Sequence, residues 1–247
     1  MGWNTSLIIV ENKDNYSDEN KLLRSLGFEH FELAEQTTFE KILNPEKNKI
    51  GIGHYNGNLI ICDGYVLTNK SIGENKNLNL VDYEKSLVEL FPKSEIITVS
   101  CVSSVNFHGY SLIQDGEKIR IKFIDSEMKQ EYGNRFEEEN VIYDRAYAKD
   151  GELFWIDENN EDETYTEDQL LEDFTFKIAK RRLKVQIDTV ESDNLFENTV
   201  FNVFQLDATL KKPKKNKTQS QKVNWKKYVL LALLMILVKI IFRFIYK

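Results

Sequence analysis

Apolar, β-type runs along the chain are punctuated by four turn-forming pairs: Asn56-Gly57, Asp63-Gly64, Asp115-Gly116 and Asp150-Gly151. Such pairs between β-type runs are the strongest short-range hairpin signal, because both residues can adopt positive φ. Strands are therefore expected at 49–55 and 58–62, at 105–114 and 117–124, and at 141–148 and 152–156. Further β-type runs occupy 5–11, 95–102 and 199–206. The period lengthens to that of a helix in three places. Ser17 opens 18–26 and Gly27 ends it; Asp82 opens 83–91 and Pro92 ends it. The third begins with the capping-box pair Thr166 and Gln169 and carries an apolar stripe of Leu170, Leu171, Phe174, Ile178 and Leu183. The pattern implies an α+β fold: a mostly antiparallel or mixed sheet with about three helices.

A different pattern takes over at Lys211. Residues 211–227 hold eight lysines, Lys211, Lys212, Lys214, Lys215, Lys217, Lys222, Lys226 and Lys227, and show no periodicity. A disordered linker is expected there. Tyr228 to Val238 is an unbroken apolar run of eleven residues, continued to Tyr246 with Lys239 and Arg243 as interruptions. Nineteen residues of helix reach roughly 28 Å, close to the thickness of a bilayer core. Lys239, Arg243 and Lys247 fall on one helical face and can extend together toward an interface. The expectation is an acidic globular domain over 1–210, a linker over 211–227 and one transmembrane anchor helix over 228–246. The lysines would bind anionic lipid headgroups and keep the N-terminal domain cytoplasmic.

Charge sharpens this division. The chain of 247 residues has a net charge of −7. The segment from Lys211 onward carries eleven bases and no acid, which leaves 22 bases against 40 acids, or −18, on the first 210 residues. An acidic body of that kind suits a basic protein partner. Nucleic-acid binding is not expected, since the lysine run lacks interleaved aromatic residues. Cys62 and Cys101 form no CxxC pair and read as buried free thiols in a reducing compartment.

The chemistry is sparse. No phosphate-binding loop, nucleophile elbow or metalloprotease motif occurs, and no cofactor is implied. The three histidines are His30, His54 and His108. His54 follows Gly51-Ile52-Gly53, and His108 lies within Val105-Asn106-Phe107-His108-Gly109-Tyr110. With Cys101 they are the candidate catalytic residues of a hydrolase-type site. A tight turn at Ser103-Ser104 would set Cys101 opposite Asn106 and away from His108. The acidic run after Ile156 places Asp157, Asn159, Glu161, Glu163 and Asp168 at calcium-loop positions 1, 3, 5, 7 and 12. Asp162 replaces the glycine required at position 6, so these are candidate ligands only, and a solvated acidic loop is the simpler reading. The basic group Lys180, Arg181, Arg182 and Lys184 reads as complementing a helix C-terminus rather than as a phosphate site.

Several stretches together resemble bacterial domains of unknown function of Bacteroidetes type and, more distantly, actinobacterial ones. They are Met1-Gly2-Trp3-Asn4-Thr5-Ser6-Leu7, Ser103 to Tyr110, the strand pair around Asp115-Gly116 ending in Arg120, Glu131-Tyr132-Gly133-Asn134-Arg135-Phe136-Glu137-Glu138-Glu139, and Asp168-Gln169-Leu170-Leu171 leading to Ala179-Lys180-Arg181. The resemblance spans about residues 1–184 and implies no activity. The glycine-containing strand pair is also similar to pieces of small bacterial immunity-type proteins. The function expected is a membrane-tethered, noncatalytic interaction module, with a toxin-neutralising immunity role or a hydrolase as alternatives.

Overall fold

Nine strands form one sheet: β1 (Asn4–Glu11), β2 (Phe31–Thr38), β3 (Lys49–Tyr55), β4 (Asn58–Cys62), β5 (Ile96–Val102), β6 (Phe107–Gln114), β7 (Glu117–Ile124), β8 (Lys129–Gly133) and, from the end of the body, β12 (Val200–Leu206). Their order is β2-β12-β3-β4-β1-β5-β6-β7-β8. Every pairing is antiparallel. A small second sheet joins β9 (Tyr147–Lys149), β10 (Glu152–Ile156) and β11 (Thr164–Tyr165). The structure is a computed structural model describing residues 2–74, 77–157 and 160–206.

The central strands are covered on both faces. Leu7 and Ile9 of β1 enter one core, beneath α2 (Phe39–Ile42), α5 (Glu137–Tyr143), α6 (Leu171–Leu183) and α7 (Asp193–Asn198). Ile8 and Val10 enter a second core, beneath α1 (Glu19–Ser25) and α4 (Asp82–Leu90), with α3 (Thr68–Ser71) beside it. Two-sided burial is usual for parallel sheets and less so for antiparallel ones. It explains why 7–10 and 59–62 read as unbroken apolar runs.

The hairpin pairs act as expected at three sites. Asn56-Gly57, Asp115-Gly116 and Asp150-Gly151 all have positive φ at both residues. Asp63-Gly64 instead leads into α3: the buried Asp63 carboxylate accepts from the Leu67 and Thr68 amides and from the Ser6 hydroxyl.

The expected fold class needs correction. Seven helices, not about three, occur among the described residues, and the sheet is antiparallel throughout rather than mixed. Three of the added helices are only four to six residues long, too short to leave a periodic signature. The strand expected at 141–148 is instead α5 followed by β9, with three acids in the first helical turn. No helix among the described residues is long and apolar enough to cross a membrane. Residues 228–246, on which the expected spanning helix falls, lie outside the described residues, as do 211–227.

Candidate functional site

The sequence candidates divide between the two faces of the sheet. A 3-10 turn at Ser103–Val105, closed by Asn106 at φ 47°, shifts the β5–β6 register so that Cys101 opposes His108. The expectation that Cys101 faces Asn106 is therefore corrected. Both side chains lie under α6, where the His108 ring stacks on Phe174 with centroids 4.9 Å apart. His54 is elsewhere. It opposes Leu59, whose side chain enters the core under α1 and α4, and four strand spacings, about 19 Å, separate β3 from β6. The three residues form no single pocket.

Adjacency alone does not activate the Cys101–His108 pair. Burial pushes the Cys101 thiol up to about 11. Burial and the neighbouring Lys122 cation lower His108 to about 3. Both groups are neutral near pH 7, whereas a nucleophilic pair needs a thiolate beside an imidazolium. The His108 Nε2 lies 3.3 Å from the Glu167 carbonyl oxygen, which can only accept, so Nε2 carries the proton.

The acidic-loop residues serve as local staples. Asp157 accepts from the Tyr165 hydroxyl at 2.8 Å and from the Asn160 amide at 2.9 Å. Asp168 accepts from Thr166 at 2.6 Å and from Asn106 at 3.2 Å. Asn159 lies outside the described residues. Among the described residues no group of three or more His, Cys, Asp or Glu side chains gathers to hold a metal.

The interior holds an ionic network that the pattern concealed. Lys118, Arg120 and Lys122 alternate along β7 and look like a solvated strand face, yet all three are buried. A bulge between Leu112 and Ile113 pairs Ile113 with Lys118 and Leu112 with Arg120, so Ile119 is the extra residue and the two cations point to opposite faces. Lys118 meets Glu84 of α4 at 2.6 Å. The Arg120 guanidinium forks onto Glu139 of α5 at 2.9 and 2.7 Å and reaches Glu131 at 2.7 Å and the Gly133 carbonyl at 2.9 Å. Gly133 has φ +79°, and a methyl group there would lie 2.0 Å from the Ile119 carbonyl oxygen. The stretch 131–139 is thus the cradle of one arginine.

Lys122 forms the second knot. It contacts the Glu167 carboxylate and the Tyr143 hydroxyl and sits 3.9 Å from the centre of the Phe174 ring. Burial lowers Lys122 to about 8, against the pull of Glu167. Burial opposes the Glu167 charge, but Lys122, Lys129 and Tyr143 outweigh it and hold its pKa at about 2.

No protein-family model matches the chain, and neither a curated protein nor a solved structure is found similar to it. Function must be read from the chain's own surface. There the strongest feature is the outer edge of β2, the terminal strand of the large sheet, which among the described residues pairs only with β12. Its residues Glu32 to Gln36 are consecutively exposed. Glu32 and Glu35 lie on the strand, Glu35 3.7 Å from Lys49, with Glu29 before it and Glu40 and Lys41 after it, and Leu33 is 57% exposed. The pairing with β12 bulges at Ala34, between Val203–Glu35 and Phe204–Leu33.

Proposed function

We propose that the body is a noncatalytic interaction module that takes up an extended basic segment of a partner protein along β2. The observation that carries this reading is the edge itself: an eight-residue terminal strand whose exposed stretch, Glu32 to Gln36, carries two carboxylates beside Leu33. An open edge offers unpaired backbone donors and acceptors, which an incoming strand satisfies, while side chains at alternate positions select its sequence. Two copies of β2 would bring Glu32 and Glu35 against like charges, and the bulge at Ala34 further spoils self-pairing. A lysine- or arginine-bearing strand meets the same carboxylates favourably, and the −18 body steers it inward. Leu33 offers one apolar anchor. The neutral, buried state of Cys101 and His108 supports binding over nucleophilic chemistry.

The lysines of 211–227 and the apolar residues of 228–246 support placement of this module against an anionic membrane surface.

The test is fluorescence anisotropy with a labelled peptide of about eight residues alternating Lys and Val, long enough to pair the whole edge. Binding is expected for the full chain, with a loss of roughly tenfold or more in Glu32→Lys/Glu35→Lys. Equal affinity of the two proteins, or equal binding of an alternating Glu–Val peptide, refutes the reading.

A further inference from the structure

We infer that the cleft between α5 and the C-terminal half of α6 is a binding site for a small molecule carrying two or more phosphate groups. The cleft has a volume of about 630 Å3, within the range of small-ligand sites. Lys177, Lys180, Arg181, Arg182 and Lys184 line it, and its acids are Glu95 and Glu138. A concentration of five cations is out of character for a body of net −18. Anions are repelled by most of this surface and attracted here.

The partners of each cation identify the ligand. The Arg181 fork is occupied by Glu95 at 2.8–3.0 Å and by Glu138 at 3.0–3.1 Å. Arg182 is held by Asn58 at 3.0 Å and by Glu11 at 3.1 Å. Both planar forks, the groups that recognise carboxylates in a bidentate manner, are thereby consumed. With Glu95, Glu138 and Glu11 they form a fixed, ion-paired wall. The groups left to engage a ligand are the lysines. Lys177 meets Asp173 at 3.1 Å and Lys180 meets Glu191 at 3.4 Å, both at partly exposed positions where such pairs are weak and readily exchanged. Lys184 is exposed and rests on the Arg181 carbonyl.

Ammonium groups act as point charges without the directional demand of a fork. They suit tetrahedral, multiply charged phosphates better than planar carboxylates. Lys177 and Lys180 lie one turn apart on α6, and Lys184 is its left-handed C-cap residue; from first to last they span about 10 Å. That span exceeds one phosphate and suits a chain of two or three. Val141, 52% exposed on the α5 wall, offers an apolar surface for the organic part of a phosphate ester. This site is on the opposite side of the body's chemistry from the acidic β2 edge: the two attract ligands of opposite sign, and either can fail without the other.

The experiment is calorimetric titration of the full chain with ATP, with inorganic tripolyphosphate and with citrate as a carboxylate control. Expected are saturable one-to-one binding of both phosphates, weakened by salt, and citrate weaker by roughly tenfold or more. The surface variant Lys177→Gln/Lys180→Gln/Lys184→Gln is expected to lose roughly tenfold or more in affinity. Val141→Glu, which adds a negative charge to the same wall, is expected to do likewise. Absence of saturable binding, citrate binding as tightly, or unchanged affinity in both variants overturns the assignment. So does a loss of binding seen only when the lysines of 211–227 are replaced.

Discussion

Replacing Arg120 by Met tests whether the buried ionic network on β7 holds the sheet to its covering helix. The side chain is 2% exposed and Glu139 is fully buried. Methionine fills a similar volume, so the change is chiefly electrostatic. It removes the forked contacts to Glu139 at 2.9 and 2.7 Å and leaves that carboxylate without its cation in a desolvated setting. Removing one partner of a buried pair costs about 3–5 kcal/mol. Glu131 is one-third exposed and rehydrates, adding at most about 1 kcal/mol. For a domain of this size about 4 kcal/mol corresponds to a fall in Tm of roughly 8–16 °C. Removing both charges in Arg120→Met/Glu139→Leu is expected to restore most of the loss, because the desolvated orphan is gone. The assay is urea denaturation followed by circular dichroism, with the m-value confirming that the native state is unchanged. A single-variant loss below about 1 kcal/mol, or a double variant no better than the single, refutes the reasoning.

His108 predicts an acid dependence. Its pKa is about 3 in the fold against the ordinary 6.5, so the unfolded chain binds the proton more readily and stability rises with pH across that window. The contribution is complete above pH 6.5 and lost as the pH falls toward 3; between pH 6.5 and 5 it amounts to about 2 kcal/mol. Thermal melts of His108→Gln should show a flatter slope between those two pH values, and an unchanged slope would remove His108 from the account. Co-sedimentation with anionic vesicles should retain the full chain and release a 1–210 fragment; recovery of both in the supernatant would count against membrane placement.

Much of the sheet was legible in the sequence, because three of the four hairpin pairs have only one comfortable backbone solution. The edge strands were not. β2 and β8 pack few apolar side chains, so tertiary pairing rather than pattern defines them. The burial of the charged positions of β7 was not legible either. Alternation normally separates core from solvent, but here both sides are core and the polar set is neutralised by acids from α4, α5 and the turn before α6. Those acids are 34, 19 and 45 residues away in the chain, beyond any local window. In the stretch 131–139, Glu131, Gly133 and Glu139 all bind the Arg120 guanidinium. The pairing of Cys101 with His108 depended on a three-residue 3-10 turn that spacing alone could not reveal.

The position of β12 sets an order of assembly. It lies between β2 and β3, and β2 pairs with nothing else in the sheet. Residues 31–38 must wait for residues 200–206, the most distant strand pairing in the body. Loops of that length close late and slowly. Until they close, β3 is an open edge carrying Ile50 and Ile52, and β2 has no sheet to belong to. The outer edge of β2 therefore takes its place in the sheet only once β12 has docked between β2 and β3.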